Sequence, residues 1–298
     1  ITDAAGKITA DVVTADAAGA MTLDTTATSI NASTSAAGNM IITETDAVVL
    51  TDVDTVDGSV SVTAGGQVTA TDVNTSTVDD DSNDISITTT AGNIVAGAVN
   101  AGSTNDVTLD SAGTITDAAG KITGDVLTAD AAGAMTLDST VASINATTSA
   151  AGNITVTETD AVVLTDVDTV DGSVTVTAGG QVTATDVNTS ATDDDTNDIS
   201  ITTTSGNIIA GTINAGASNN DATLVSAAAI VDDGNAGTRV AGDVVDMTAA
   251  VGDIGTSGNA VGTSAVSLDV DSSAGNGSQY LDEANALTAL NLNAGTGN

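Results

Sequence analysis

The chain contains no Cys, Pro, Trp, Phe or His, a single Tyr, and three basic residues against 40 acidic ones. Each absence removes a class of function. Without Cys there are no disulfides, zinc–thiolate centres or thiol nucleophiles, and such a chain suits an extracellular setting because it does not depend on redox state. Without large aromatic side chains a thick globular core is excluded, so Ile, Val, Leu and Ala must do the packing. A net charge of −37 leaves no surface on which to gather phosphates, which argues against nucleic acid as a partner. The same charge repels an anionic membrane, and no apolar run approaches the roughly 18 residues that cross a bilayer. The sequence opens at Ile1 in mid-motif and stops after a Gly-Thr-Gly run, with neither start Met nor signal peptide, so the expectation is an excerpt of a longer chain.

What is present is repetition. ITDAAGKIT occurs at Ile1 and again at Ile115, and residues 1–105 differ from 115–219 at only 19 positions, mostly by mild swaps such as Val13 to Leu127 and Met40 to Ile154. A long internal period with aliphatic exchanges is the mark of a stacked array. From about Ile230 a more divergent third copy begins, in which RVAGDVV from Arg239 answers KITADVV from Lys7. The chain therefore divides into repeats 1–114, 115–229 and a partial repeat 230–298 of one continuous array.

A shorter rhythm runs inside the repeat: a turn such as AAG, DGS or ND, then an apolar residue that opens an alternating segment. The anchors Met21, Met40, Val60, Ile85, Val107 and Met135 lie 19, 20, 25, 22 and 28 residues apart, so each long repeat holds five short units. Segments such as VSVTAGGQVTATDV alternate apolar residues with Thr, Ser or Asp, the period of a half-buried strand, while helical stripes are absent. Gly and Asn supply the corners, because both tolerate the left-handed conformation that tight turns require. These features predict an all-β solenoid of roughly thirteen coils, stacked about 4.8 Å apart into a rod on the order of 60 Å long.

The phrases DVTLDSAGTITDAAGKIT from Asp106, AGNITVTETDAVVL from Ala151, GDIGTSGNAV from Gly252 and QYLDEANALTALNLNAGTGN from Gln279 resemble the β-helical shafts of filamentous haemagglutinin-like adhesins, large proteins exported by two-partner secretion. The likeness spans essentially the whole chain. It implies a right-handed parallel β-helix of about twenty residues per coil, at the cell surface or released from it. It implies as partners further copies or neighbouring repeats of the same fibre, and a host or neighbouring cell surface.

The candidate chemistry is sparse. Asp52, Asp54 and Asp57, repeated as Asp166, Asp168 and Asp171, look like the start of a calcium loop, but the EF-hand spacing fails and no Glu closes it. A second acidic cluster, Asp79, Asp80, Asp81 and Asp84, recurs as Asp193, Asp194, Asp195 and Asp198 in the longest turn of the repeat. Adjacent carboxylates repel, and a hard cation such as calcium would relieve that repulsion; the alternative is a solvated acidic loop that keeps rods apart. Two carboxylates about 4.8 Å apart in water repel by roughly 0.9 kcal/mol, so stacked Asp columns are costly. The 114-residue period holds identical acidic turns about 24 Å apart, where the repulsion is screened.

Lys7, Lys121 and Arg239 fall at the same place in successive repeats, just before a strand. At one cation per repeat they are too sparse for a binding patch, and they read as local structural partners for Asp3, Asp117 and Asp232. Thr-rich phrases such as VTVT at Val174 invite comparison with the hydroxyl ladders of ice-binding solenoids, but strand preference accounts for the Thr content. Catalysis is not expected. A polysaccharide lyase needs a basic proton acceptor and cations for its uronates, and the chain offers no His and almost no Lys or Arg. The sequence reading is thus a stiff, acidic extracellular shaft. Its alternatives are a subunit of a self-assembling filament or sheath joined by end-to-end coil stacking, and a calcium-responsive binding module.

Overall fold

The computed structural model describes residues 1–3, 6–192, 195–216 and 219–297. Two compact units, Ile1–Ala142 and Ser143–Asn298, divide within the strand Met135–Thr148 and not at a repeat boundary. Each is a parallel β-solenoid, and together they hold about 13 turns. Among the described residues there is no helix, and every pairing is parallel except the bridge Thr256–Asn259.

In the first unit a coil is built from two kinds of strand. Short strands Met40–Glu44, Val60–Ala64, Ile85–Thr89 and Val107–Ser111 stack in register, Met21 on Met40, Met40 on Val60, Val60 on Ile85 and Ile85 on Val107. Between them run seven-residue strands Val48–Asp54, Val68–Asn74 and Ile94–Asn100, which form a second stack. The short strands alternate strictly, as in Val60 and Val62 inward and Ser61 and Thr63 outward. The longer strands break that alternation at Thr51 and Asp52, both exposed, between buried Leu50 and Val53. Two successive outward residues turn the corner of the coil there, because the period of two must slip by one for the inside to stay apolar.

The core is a narrow column of aliphatic side chains. Ile42, Ile85, Ile87, Leu109 and Ile115 are wholly buried, and burial of each such side chain stabilises the fold by roughly 1.5–3 kcal/mol. Unequal coil length is absorbed in the turns and leaves the strands in register: the 25 residues from Val60 to Ile85 include the acidic turn, yet Ser61 still lies opposite Ser86 and Thr63 opposite Thr88. Glycine is required where turns of successive coils touch. Gly58 has φ +148°, and a Cβ there would lie 2.6 Å from the Gly38 carbonyl; at Gly65 it would lie 1.9 Å from the Thr45 oxygen.

The second unit repeats the plan. Ile154 stacks on Val174, Val174 on Ile199, Ile199 on Ala222, Ala222 on Val245, and then Leu268 and Leu290 follow.

One expectation needs correction. Val107 is not followed in its column by Met135 after a coil of 28 residues. Leu127, twenty residues on, stacks on Val107, and Met135 stacks on Ile115. Ile115 in turn continues the other column through Ile94 and Val68. The phrase MTLD therefore joins the short-strand stack at Met21 and the longer-strand stack at Met135. The extra half-coil comes from Ile115–Asp117 and Ile122–Ala131, which the spacing of identical phrases passes over.

Candidate functional site: the acidic corners

The carboxylates of the long turn point in different directions and serve different neighbours. Asp79 reaches the following coil, where its two oxygens accept hydrogen bonds from the Ser103 amide at 3.2 Å, the Ser103 hydroxyl at 2.7 Å, the Thr104 amide at 3.2 Å and the Thr104 hydroxyl at 3.0 Å. These donors favour the ionised form and hold the Asp79 carboxyl below its ordinary value. Asp80 accepts from the Ser82 hydroxyl at 2.7 Å, and Asp84 from the Asp106 amide at 2.9 Å. Asp198 repeats the last contact with the Asp221 amide at 2.8 Å. Asp193 and Asp194 lie outside the described residues. Among the described residues no group of three or more His, Cys, Asp or Glu side chains is gathered as metal ligands would be.

The Asp52 and Asp166 groups behave differently. Asp52 and Asp54 stand on the same side of their strand, and Asp72 occupies the matching corner of the next coil, within the phrase TDVN that echoes TDVD. Asp54 is pushed up to about 6, first by desolvation and then by the charges of Asp52 and Asp72. Asp168 is pushed up to about 6 for the same reasons, with Asp166 and Asp186 as its neighbours. The Asp54 and Asp168 Oδ1 atoms are buried without a hydrogen-bond partner among the described residues. The wide spacing of identical acidic turns does not prevent this crowding, because the acids that meet come from non-identical neighbouring coils. Asp57 and Asp171 stand apart from these corners: their backbone carbonyls accept from Gly38 and Gly152, both at 2.7 Å.

The three cations pair with carboxylates on other coils and not with Asp3, Asp117 and Asp232. Lys7 pairs with Asp24 at 3.2 Å, Lys121 with Asp138 at 2.7 Å, and Arg239 with Asp282 at 3.4 Å. Asp3 is engaged locally, accepting from the Gly6 amide at 3.3 Å, and Asp232 accepts from the Gly234 amide at 2.8 Å. In a solenoid a residue's neighbours lie across the stack as well as along the chain: Asp24 and Asp138 are one coil on from their lysines, and Asp282 is two coils on from Arg239. Exposed pairs of this kind contribute about 0–1 kcal/mol.

Sequence reasoning missed two buried acids. Glu44 is 3 % exposed and sits where a short strand ends. One carboxylate oxygen accepts from the Thr25 hydroxyl at 2.7 Å and the Ala27 amide at 2.9 Å; the other accepts from the Thr45 amide at 2.7 Å and the Asp46 amide at 3.3 Å. Glu158 repeats the contacts to the amides of Thr159 and Asp160. The signal was available: in the repeated phrase TETDAVVL each Glu falls at an inward position of an alternating strand, where the neighbouring coils carry Thr, Ser or Ala.

The site and fold together define a class, a parallel β-solenoid whose acids brace turns and corners. Comparison with family models, curated proteins and solved structures gives no match.

Proposed function

We propose that the chain is a portion of the structural shaft of a secreted or cell-surface fibre, of the filamentous haemagglutinin-like kind, with a right-handed coil. The observation that carries this reading is the continuous register of the stacked short strands within each unit, maintained across coils of unequal length. Stiffness follows from hydrogen bonds that run coil to coil along the stack, since bending would stretch a whole row of them at once. The net charge of −37 keeps neighbouring shafts apart. Asp79 in the long turn and Glu44 at a strand end are spent on the fold's own amides and hydroxyls, which favours a mechanical role over a catalytic one.

The experiment is twofold. Antibody raised against the chain should label intact cells of its source without permeabilisation, and force microscopy of the purified chain should give a stiff rod. Labelling only after permeabilisation removes the surface assignment, and a freely jointed coil removes the shaft.

A further inference from the structure

The Asp54 and Asp168 corners put a question that a spacer does not answer: why two carboxyl groups in each cluster are brought together with no basic side chain paired to them among the described residues. Around Asp54, the strand below contributes Ser33, opposite Asp54, and Asn31, which donates to the Asp52 Oδ2 at 3.2 Å. Ser33 in turn donates to Asp16 at 2.7 Å. The strand above contributes Asp72 and, opposite Asp54, Asn74; beyond it stand Ala98 and Asn100. The titratable groups facing Asp54 are thus Asp52, Asp72 and, through Ser33, Asp16, all acidic. Around Asp168 the pattern recurs within the second unit: Asn145 opposite Asp166, Thr147 opposite Asp168, Asp186 and Asn188 on the strand above, and Thr212 and Asn214 beyond.

We propose that each corner is a proton-held clasp, in which Asp52 and Asp54, and likewise Asp166 and Asp168, share one proton beside the acid of the next coil, so that the solenoid is tightened by mild acid and loosened at neutral pH. With both groups ionised, three negative charges crowd one corner and the buried Oδ1 of Asp54 has neither partner nor counter-ion. A single proton turns one repulsion into a hydrogen bond between two carboxyls that stand two residues apart on the same side of one strand. A carboxyl that binds its proton more tightly when folded stabilises the fold fully below its unfolded value of 3.8, and the contribution is lost as pH rises through about 6. The clasp sits on a strand corner in both copies, so its effect is on coil-to-coil cohesion.

The test is the urea midpoint of the whole chain from about pH 4.5 to about pH 7.5, with carbon-detected resonance of the Asp54 and Asp168 carboxyls over the same range. The midpoint of the unaltered chain should fall as pH rises. Asp54→Asn with Asp168→Asn should shrink that fall and leave the variant more stable than the unaltered chain at the upper pH, because Asn keeps a donor and carries no charge. Asp46→Asn with Asp160→Asn removes the same charge from exposed turns and should leave the fall largely intact. An equal shrinkage in both pairs would reduce the effect to bulk repulsion and overturn the clasp. Should the Asn variant fail to fold, the carboxyl resonances decide: titration well above the ordinary Asp range supports the clasp, and titration within it overturns it.

Discussion

Met135 stands on Ile115, twenty residues before it, although its twin Met21 belongs to the column that runs through Met40, Val60, Ile85 and Val107. The long repeat and the coil are therefore out of phase: each copy of the phrase starts on the same ITD segment, Thr22 bridging Thr2 and Met135 pairing with Ile115, yet the column that runs on from Met21 is not the one that reaches Met135. The phrase can join either column because its inward Met and Leu are modest side chains and neither demands a matched aromatic partner.

Core truncation should be costly even in so thin a molecule. Ile87 is wholly buried between Val62 and Leu109 in its column. Ile87→Ala should lower stability by about 2–5 kcal/mol, read from urea denaturation.

Glu44 predicts an unusual pair of results. Glu44→Ala removes the carboxylate acceptor of the Ala27 and Asp46 amides, at about 1–3 kcal/mol for each donor left buried and unpaired, while the Thr45 amide keeps the Thr25 carbonyl at 3.0 Å. Glu44→Gln should also destabilise, because its NH2 group must face donors on one side. Equal stability of Gln and Glu variants in equilibrium unfolding would contradict the assigned hydrogen bonds.

At Gly65 a side chain has no room. Gly65→Ala forces a methyl against the Thr45 carbonyl, and the coil must open to admit it. The expected loss exceeds about 1 kcal/mol, measured as a lowered melting temperature. Gly6, with nothing near its Cβ position, should accept Ala with little change.

Asp79 gives a pH dependence of opposite sign to the clasp. Its carboxyl is held low by the hydroxyls and amides of Ser103 and Thr104, so its contribution is present above the unfolded value of 3.8 and is lost as pH falls through the lower folded value. Asp79→Asn should flatten the acid limb of the stability profile. Because Asp79 is already satisfied by these donors, calcium added in excess should leave the melting temperature unchanged, and an upward shift with calcium would restore the cation-binding module as the better reading.

Much of the architecture was legible because period-2 alternation over segments such as VSVTAGGQVTATDV has one economical solution, a strand with one face buried. The acidic corners were less so. Asp54 and Asp72 meet because VVLTDVD and VTATDVN are successive coils twenty residues apart, a relationship hidden beneath the louder 114-residue echo. The partners of Asp79 and Lys7 lie on neighbouring coils, and no local spacing points to them. Coil phase is hidden for the same reason: identical phrases do not mark identical column positions, because the half-coil between Ile115 and Ala131 moves the next copy to the other column.

Cysteine pairing tests the stacked register most directly, since the chain has no Cys of its own to interfere. Strands of neighbouring coils lie about 4.8 Å apart, within the reach of a disulfide for residues directly opposite. Thr108 and Thr128 are opposite in the register described, so Thr108→Cys with Thr128→Cys should oxidise to an intramolecular disulfide, seen by mass spectrometry of the digested chain. Thr108→Cys with Thr136→Cys should remain reduced under the same conditions. Closure of the second pair and not the first would place Met135 on Val107 and contradict the register on which the solenoid account rests.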